Sequence, residues 1–460
     1  MLGSEHFRRA HGVRYSYMAG AMAGGISSVE LVATLANAGF LASFGCGGLP
    51  IARTAQALAR LEREVGDLGY AVNLLHTPNV PATERAVVDL CSARKVRCLE
   101  ASAFMGLTPP LVRYRVAGLS RDAAGRVVAT NRVIAKVSRA EVARHFLLPA
   151  PEAMVGELVA EGAVTEDQAE LARMVPMADD LTVEADSGGH TDRRPLMIML
   201  PVVRELRDSL RRERPWLPEV RLGAAGGIGT PDAILSALAL GADYVVTGSI
   251  NQSCVEAGTS EQVRQMLAAA SPTDVDMAPS GAMFEYGAEV QVLKRETMFA
   301  SRARRLYKLY RAYGGLDELP PKDFRWLESQ VLGRSVSEVW ADVVTFFERT
   351  NPVVLERAAV EPKKRMALVF RWYLGLSSRW ALSGHTERSA DYQVWCGPSM
   401  GGFNEWVQGS HLAAPENRAV ADVARQLLLG TAYGARVGQL RLQGADIPSG
   451  AARYRPVPSA

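Results

Sequence analysis

The chain has 460 residues and is 48% hydrophobic. Single cores rarely grow past about 250 to 300 residues, so two structural units are expected. A formal charge of +3 lacks the concentrated basic stripe that a phosphate backbone requires, which argues against nucleic acid as a partner. The five cysteines (Cys46, Cys91, Cys98, Cys254, Cys396) are widely spaced with no C-x-x-C pair, so they read as reduced thiols and no metal site is expected. Charges at Glu5, Arg8, Arg9 and Arg14 interrupt the start of the chain, and no later stretch approaches the roughly 20 apolar residues of a membrane span. The expectation is a cytoplasmic protein without membrane contact.

Short apolar runs ending in Gly, Ser or Asn alternate with amphipathic stretches as far as about residue 250, the pattern of repeated βα units. The runs are Val13-Ala19, Phe40-Phe44, Tyr70-Leu74, Val96-Ala101, Arg132-Val137, Leu181-Ala185, Arg221-Ala224 and Tyr244-Thr247. Eight is the count for a closed (β/α)8 TIM barrel of the α/β class, whereas an open doubly wound sheet usually shows five or six. Helix signals support this: Ser27 or Ser28 can cap a helix that Gly39 ends, and Thr230-Pro231 opens another that runs to Gly241.

Two stretches break the alternation. After the fourth run, Thr108-Pro109-Pro110, Leu111-Val116 and Asp122-Ala123-Ala124-Gly125 read as a hairpin in place of a helix. After the fifth, residues 139–178 read as an inserted helical segment, and both are candidate lids on the catalytic face. The barrel is expected over residues 1–280 and a mainly helical C-terminal domain, without a second sheet, over 281–460. In that domain Arg302, Arg304, Arg305, Lys308 and Arg311 interleave with Leu306, Tyr307, Leu309 and Tyr310 at helical spacing. Its Trp-rich segments read as core, and the basic cluster as either a solvated face or a landing surface for an acidic partner.

The strongest chemical signal is a pair of glycine loops, Ala225-Gly226-Gly227 after the seventh run and Gly248-Ser249 after the eighth. Unblocked backbone N–H groups there can converge on a dianion, which predicts a phosphate site. The spacing of Gly223 to Gly229 does not match a dinucleotide fingerprint. Ala19-Gly20-Ala21-Met22 closes the first run with small residues against which a ring can lie flat. Asn73 ends the third run, and Lys136 ends the fifth, where a cation can stabilise a reduced flavin or simply pair with Glu100 or Glu184. His190 follows Ser187-Gly188-Gly189 at the sixth run and is the candidate acid/base group, whereas His6, His11, His145 and His411 read as sitting in polar surroundings.

This constellation resembles the nitronate monooxygenase and FMN-dependent enoyl-acyl carrier protein reductase superfamily. Met366-Trp380 and Asp391-Asn404 narrow the resemblance to the PfaD-type trans-acting enoyl reductases that serve polyunsaturated fatty acid and polyketide synthases. The resemblance implies bound FMN, NADPH as reductant, and reduction of a 2-enoyl thioester carried on the phosphopantetheine arm of an acyl carrier protein within a synthase assembly. Carried over by position, Gly226, Gly227, Gly248 and Ser249 would hold the phosphate. Ala19, Gly20, Ala21, Met22, Asn73 and Lys136 would contact the ring, Gly188 would also bind the cofactor, and His190 would be catalytic. Ala225 departs from the family, where related monooxygenases usually carry an acidic residue. The alternatives are a nitronate monooxygenase and a non-catalytic FMN-binding assembly component; a homodimer through the helical unit is a further expectation.

Overall fold

The computed structural model describes residues 2–78 and 80–458, which divide into two compact units. The first comprises residues up to Ser187, Asp192–Gly258 and Gly402 onward; the second comprises Gly188–Thr191 and Thr259–Gly401. The expected boundary at 280 is therefore displaced, and residues 402–458 belong with the barrel.

In the first unit eight parallel strands close on themselves: β1 (Tyr17–Ala19), β2 (Leu41–Phe44), β3 (Ala71–Leu75), β4 (Cys98–Ser102), β5 (Arg132–Val137), β6 (Asp180–Glu184), β7 (Arg221–Ala225) and β8 (Tyr244–Thr247). The barrel order is β1-β8-β7-β6-β5-β4-β3-β2. Both faces of such strands are buried, which is why they read as continuous apolar runs. The first strand is shorter than expected, because the backbone N–H groups of Arg14 and Tyr15 both donate to Gly39 O in a turn. Ser28 Oγ accepts from Leu31 N and Thr230 Oγ1 from Ala233 N, so both expected caps form.

The end of the barrel where the strands begin is plugged by the helix Glu5–His11. Phe7 stacks on Tyr244 with ring centroids 4.2 Å apart, inside a core of Met18, Leu41, Ala71, Ile134 and Val246. His11, expected in polar surroundings, is instead buried, with Nε2 2.8 Å from Asp180 Oδ2. Arg221 donates to the same carboxylate through Nε at 2.6 Å and Nη2 at 2.8 Å. Beside it Arg115 makes two hydrogen bonds to Asp179, at 2.7 and 3.2 Å.

Both candidate lids are corrected. Pro109 and Pro110 start a helix, Pro109–Ala117, since proline fits a first turn whose N–H groups need no partner. The hairpin is real but follows that helix, pairing Leu119–Arg121 with Val127–Ala129 around Asp122–Gly125. In 139–178 the helix Ala140–Leu147 is the barrel's own crossover, and the helices Glu152–Ala160 and Glu166–Ala172 come after it. Hairpin and extra helices thus precede a strand rather than follow one, which puts them at the end of the barrel opposite the catalytic rim.

After β8 the chain makes only a four-residue helix, Ser249–Gln252, and then enters the second unit. The long helix Val420–Leu442 packs on the helices Pro231–Ala239 and Val29–Asn37, the gap where an eighth barrel helix belongs. Gly430 allows the approach: a Cβ there would lie 2.5 Å from Pro231 Cγ.

The second unit contains a small antiparallel sheet that the sequence pattern does not announce, in which Glu289–Leu293 pairs with Val275–Pro279 on one side and Gly189–His190 on the other. Helices Phe299–Ala312, Val336–Thr350 and Pro362–Ser383 pack around Phe284, Phe299, Leu306, Val339, Phe370 and Tyr373. The aromatic segments are core, as expected: Trp372, Trp380 and Trp395 pack half-buried against it. No helix among the described residues is long and apolar enough to cross a membrane.

Candidate functional site

The polar strand ends of the first unit gather at the rim where the strands finish. Gly20 N donates to Thr247 O at 3.0 Å, tying the exit of β1 to β8, and a Cβ at Gly20 would strike Val246 Cγ1 at 2.9 Å. Ala21 N donates to Glu100 Oε2 at 2.9 Å, and Met22 N to Ser27 Oγ at 2.9 Å. The Ala19–Met22 segment is thereby tied to β8, β4 and Ser27.

Asn73 is buried on β3 in register with Glu100 on β4. Its amide nitrogen donates to Glu100 O at 3.2 Å and Ser102 Oγ at 3.0 Å, and its Oδ1 would lie 3.2 Å from a Cβ at Gly47. Glu100 is fully buried, and its second oxygen, Oε1, has no hydrogen-bond partner among the described residues. On β5, Lys136 Nζ lies 3.0 Å from Glu184 Oε1 on β6. Burial works against this ammonium, but the carboxylates of Glu184 and Glu100 outweigh it and push its pKa up to about 12. Pairing with Glu184, one of the two readings of Lys136, is therefore present, and it leaves a fixed cation at the strand end.

The two glycine turns differ in what demands the glycine. Gly226 (φ +82°) is required by a close approach, since a Cβ would meet Ala185 C at 2.6 Å. At Gly227 (φ +73°) and Gly248 a Cβ would meet nothing within 4 Å, so open space lies over both turns. Thr247 is pinned beneath by a hydrogen bond shared with Tyr17 at 2.6 Å and by Asn251 Nδ2 at 2.9 Å. Open turns with backbone N–H groups, a small-residue wall and a strand-end cation fit a phosphorylated, ring-bearing cofactor. Glu100, Glu184 and Asn251 complete the arrangement, and the last was not singled out in sequence because nothing local distinguishes it.

Gly188 and His190 lie in the second unit. His190 is exposed on the edge strand Gly189–His190, with Nε2 2.9 Å from Ser280 Oγ. The glycine at 188 is explained by packing, because a Cβ would sit 2.9 Å from the backbone N of Cys396. In the basic cluster, Arg304 pairs with Asp276 at 2.6 Å, Arg305 with Asp323 at 2.6 Å, and Arg302 with Asp391. Lys308 and Arg311 are exposed.

A closed parallel barrel with polar residues and open glycine turns on one rim defines the (β/α)8 class, with its candidate site at the C-terminal ends of the strands. Within that class the chain belongs to the nitronate monooxygenase family of oxidoreductases, whose model matches residues 8–280. A second model, described as the inserted helical domain of acyl-carrier-protein S-malonyltransferase, matches residues 313–392. The chain is 46% identical over 447 residues to a polyunsaturated fatty acid synthase polypeptide of Thraustochytrium sp., covering 96% of this chain and 30% of that one. It is 43% identical over 432 residues to polyketide biosynthesis protein PksE of Bacillus subtilis, covering 94% and 56%. The chain thus spans only part of these curated relatives. The crystal structure of the enoyl reductase domain of MlnA, from the macrolactin biosynthesis cluster of Bacillus amyloliquefaciens, is 39% identical with a TM-score of 0.92, covering 96% of this chain and 99% of that one. The resemblance read from residues 366–380 and 391–404 is met by these relatives.

Proposed function

We propose that this chain is a trans-acting, FMN-dependent enoyl reductase that uses NADPH to saturate the α,β-double bond of a 2-enoyl thioester held on an acyl carrier protein. The observation that carries the reading is the likeness to the MlnA enoyl reductase domain along nearly its whole length. Relatives that belong to fatty acid and polyketide synthase systems support a synthase assembly as the setting.

Bound FMN, reduced by NADPH, would supply the hydride that reaches the β-carbon. The chain's own residues do the rest. Gly226, Gly227, Gly248 and Ser249 hold the phosphate through backbone N–H groups, while Ala19 to Met22, Asn73 and Gly188 line the ring. Lys136, kept protonated by Glu184 and Glu100, stabilises the negative charge of the reduced ring. His190 gives the α-carbon its proton, and N–H groups near Ser187 to Gly189 polarise the thioester carbonyl. With three of its five cations already paired, the helix Phe299–Ala312 offers a carrier protein chiefly Lys308 and Arg311.

The test is an absorbance spectrum of the purified protein, anaerobic addition of NADPH, and then a crotonyl thioester. Flavin bleaching by NADPH and recolouring by the thioester are expected, with His190→Ala retaining FMN but losing turnover. Absence of bleaching, or full turnover in H190A, would refute the corresponding assignment. The family match supports a second reading, nitronate oxidation by dioxygen; dioxygen consumption on nitronate addition without thioester reduction would establish it instead.

A further inference from the structure

Arg418 is the largest fully buried side chain among the described residues, at 1% exposure. Among the described residues its guanidinium donates only to neutral acceptors: Nε to Leu412 O at 2.9 Å, Nη1 to Ser253 Oγ at 3.1 Å and Nη2 to Ala413 O at 3.2 Å. Burial pulls its pKa down to about 10, and Cys254 and the exposed, unpaired Glu416 offset only part of this. A buried charge with no counter-ion is strongly unfavourable unless something of opposite sign compensates it.

Its surroundings say where that compensation would come from. Ser253 ends the short turn Ser249–Gln252 that Gly248 opens after β8. The Phe403 ring, 5.1 Å from Arg418 Cζ, follows Gly402, where a Cβ would sit 3.8 Å from Thr230 Cγ2. Thr230 in turn closes the loop that begins at Gly226 and Gly227. Ser253, to which Arg418 donates, lies one helical turn or about 6 Å along the axis from Ser249, so the guanidinium stands behind the Gly248-Ser249 turn.

We infer that Arg418 is the fixed counter-charge of the phosphate site, acting through space on a bound phosphate without touching it, and so selecting phosphorylated over unphosphorylated flavin. This rests on the flavin reading above. At roughly 10 Å and an effective dielectric of about 20, one pair of unit charges changes binding roughly tenfold, and a dianion squares that factor.

Apoprotein titrated with FMN and with riboflavin, followed by flavin fluorescence, tests it. Arg418→Met and Arg418→Gln should weaken FMN binding roughly 10- to 100-fold, with riboflavin binding unchanged; Arg418→Lys should preserve the wild-type preference. Equal weakening of both flavins, or an unchanged FMN-to-riboflavin ratio in folded neutral variants, overturns the inference while leaving the flavin reading intact. Wild-type protein that binds neither flavin overturns both. Should the neutral variants not fold, melting of wild-type apoprotein decides: inorganic phosphate must raise Tm above chloride at equal ionic strength, and no rise overturns the inference.

Discussion

The two rims of the barrel both carry charged groups and treat them in opposite ways. Where the strands begin, Asp180 is saturated by His11 and Arg221, Asp179 by Arg115, and Phe7 seals the interior. Where they end, Glu100 keeps an oxygen without a partner among the described residues, Lys136 answers to two carboxylates, and space lies open over Gly227 and Gly248. A charge network closed on itself stabilises a fold, whereas one left incomplete has capacity for a ligand; the difference makes the rim where the strands end the candidate site without reference to any relative.

The hardest blow to this contrast is Asp180→Ala, which strands Arg221 and His11 in the closed rim. A loss of about 3–5 kcal/mol is expected in urea unfolding, and a loss under about 1 kcal/mol would mean the network is not structural. Next come the glycines. Gly226→Ala should cost about 2–3 kcal/mol from its left-handed backbone plus the clash with Ala185, and Gly227→Ala about 1 kcal/mol from backbone strain alone; equal Tm shifts would deny the open space over Gly227.

The rims should also separate by pH. Asp180 is buried, which alone would raise its pKa, yet His11 and Arg221 hold it at about 2, below the ordinary 3.8. Its contribution, about 2 kcal/mol, is therefore complete above pH 3.8 and lost as pH falls through about 2. Lys136 is raised instead, so its contribution of similar size is complete below pH 10.5 and lost as pH rises through about 12. Stability measured against pH should lose its acid limb in D180N and its alkaline limb in Lys136→Met. The smallest effect belongs to Ser43, whose buried hydroxyl on β2 has no partner among the described residues. Ser43→Ala should be neutral or stabilising by up to about 1 kcal/mol; a clear drop in Tm would show that the hydroxyl is satisfied.

What could be read in sequence was what neighbouring residues decide. β5 and β8 match the reading to the residue, because strands buried on both faces announce themselves as apolar runs, and the caps at Ser28 and Thr230 are local chemistry. What required distant partners stayed hidden. His11 is buried because of Asp180, far along the chain, and Gly188 is a glycine because of Cys396. The small sheet escaped notice because its strands carry Asp276, Pro279 and Glu289, residues that strands usually avoid. Pro109-Pro110 misled because the same pair that breaks a helix interior suits a helix start. Of the candidate site, the strand count puts Lys136 next to the end of β5, whereas Asn73, expected to end the third run, stands in the middle of β3 because that strand continues to Leu75.

The ring of helices is completed by Val420–Leu442, a segment made long after the last strand. During synthesis the barrel must therefore wait, with the apolar flanks of Pro231–Ala239 and Val29–Asn37 uncovered, while the whole of the second unit's long segment passes out of the ribosome. A contact this distant slows folding and lengthens exposure to aggregation. The same arrangement makes Thr259–Gly401 an insertion between a strand and its helix, a segment that evolution could lengthen or exchange while the barrel's own sequence stayed fixed.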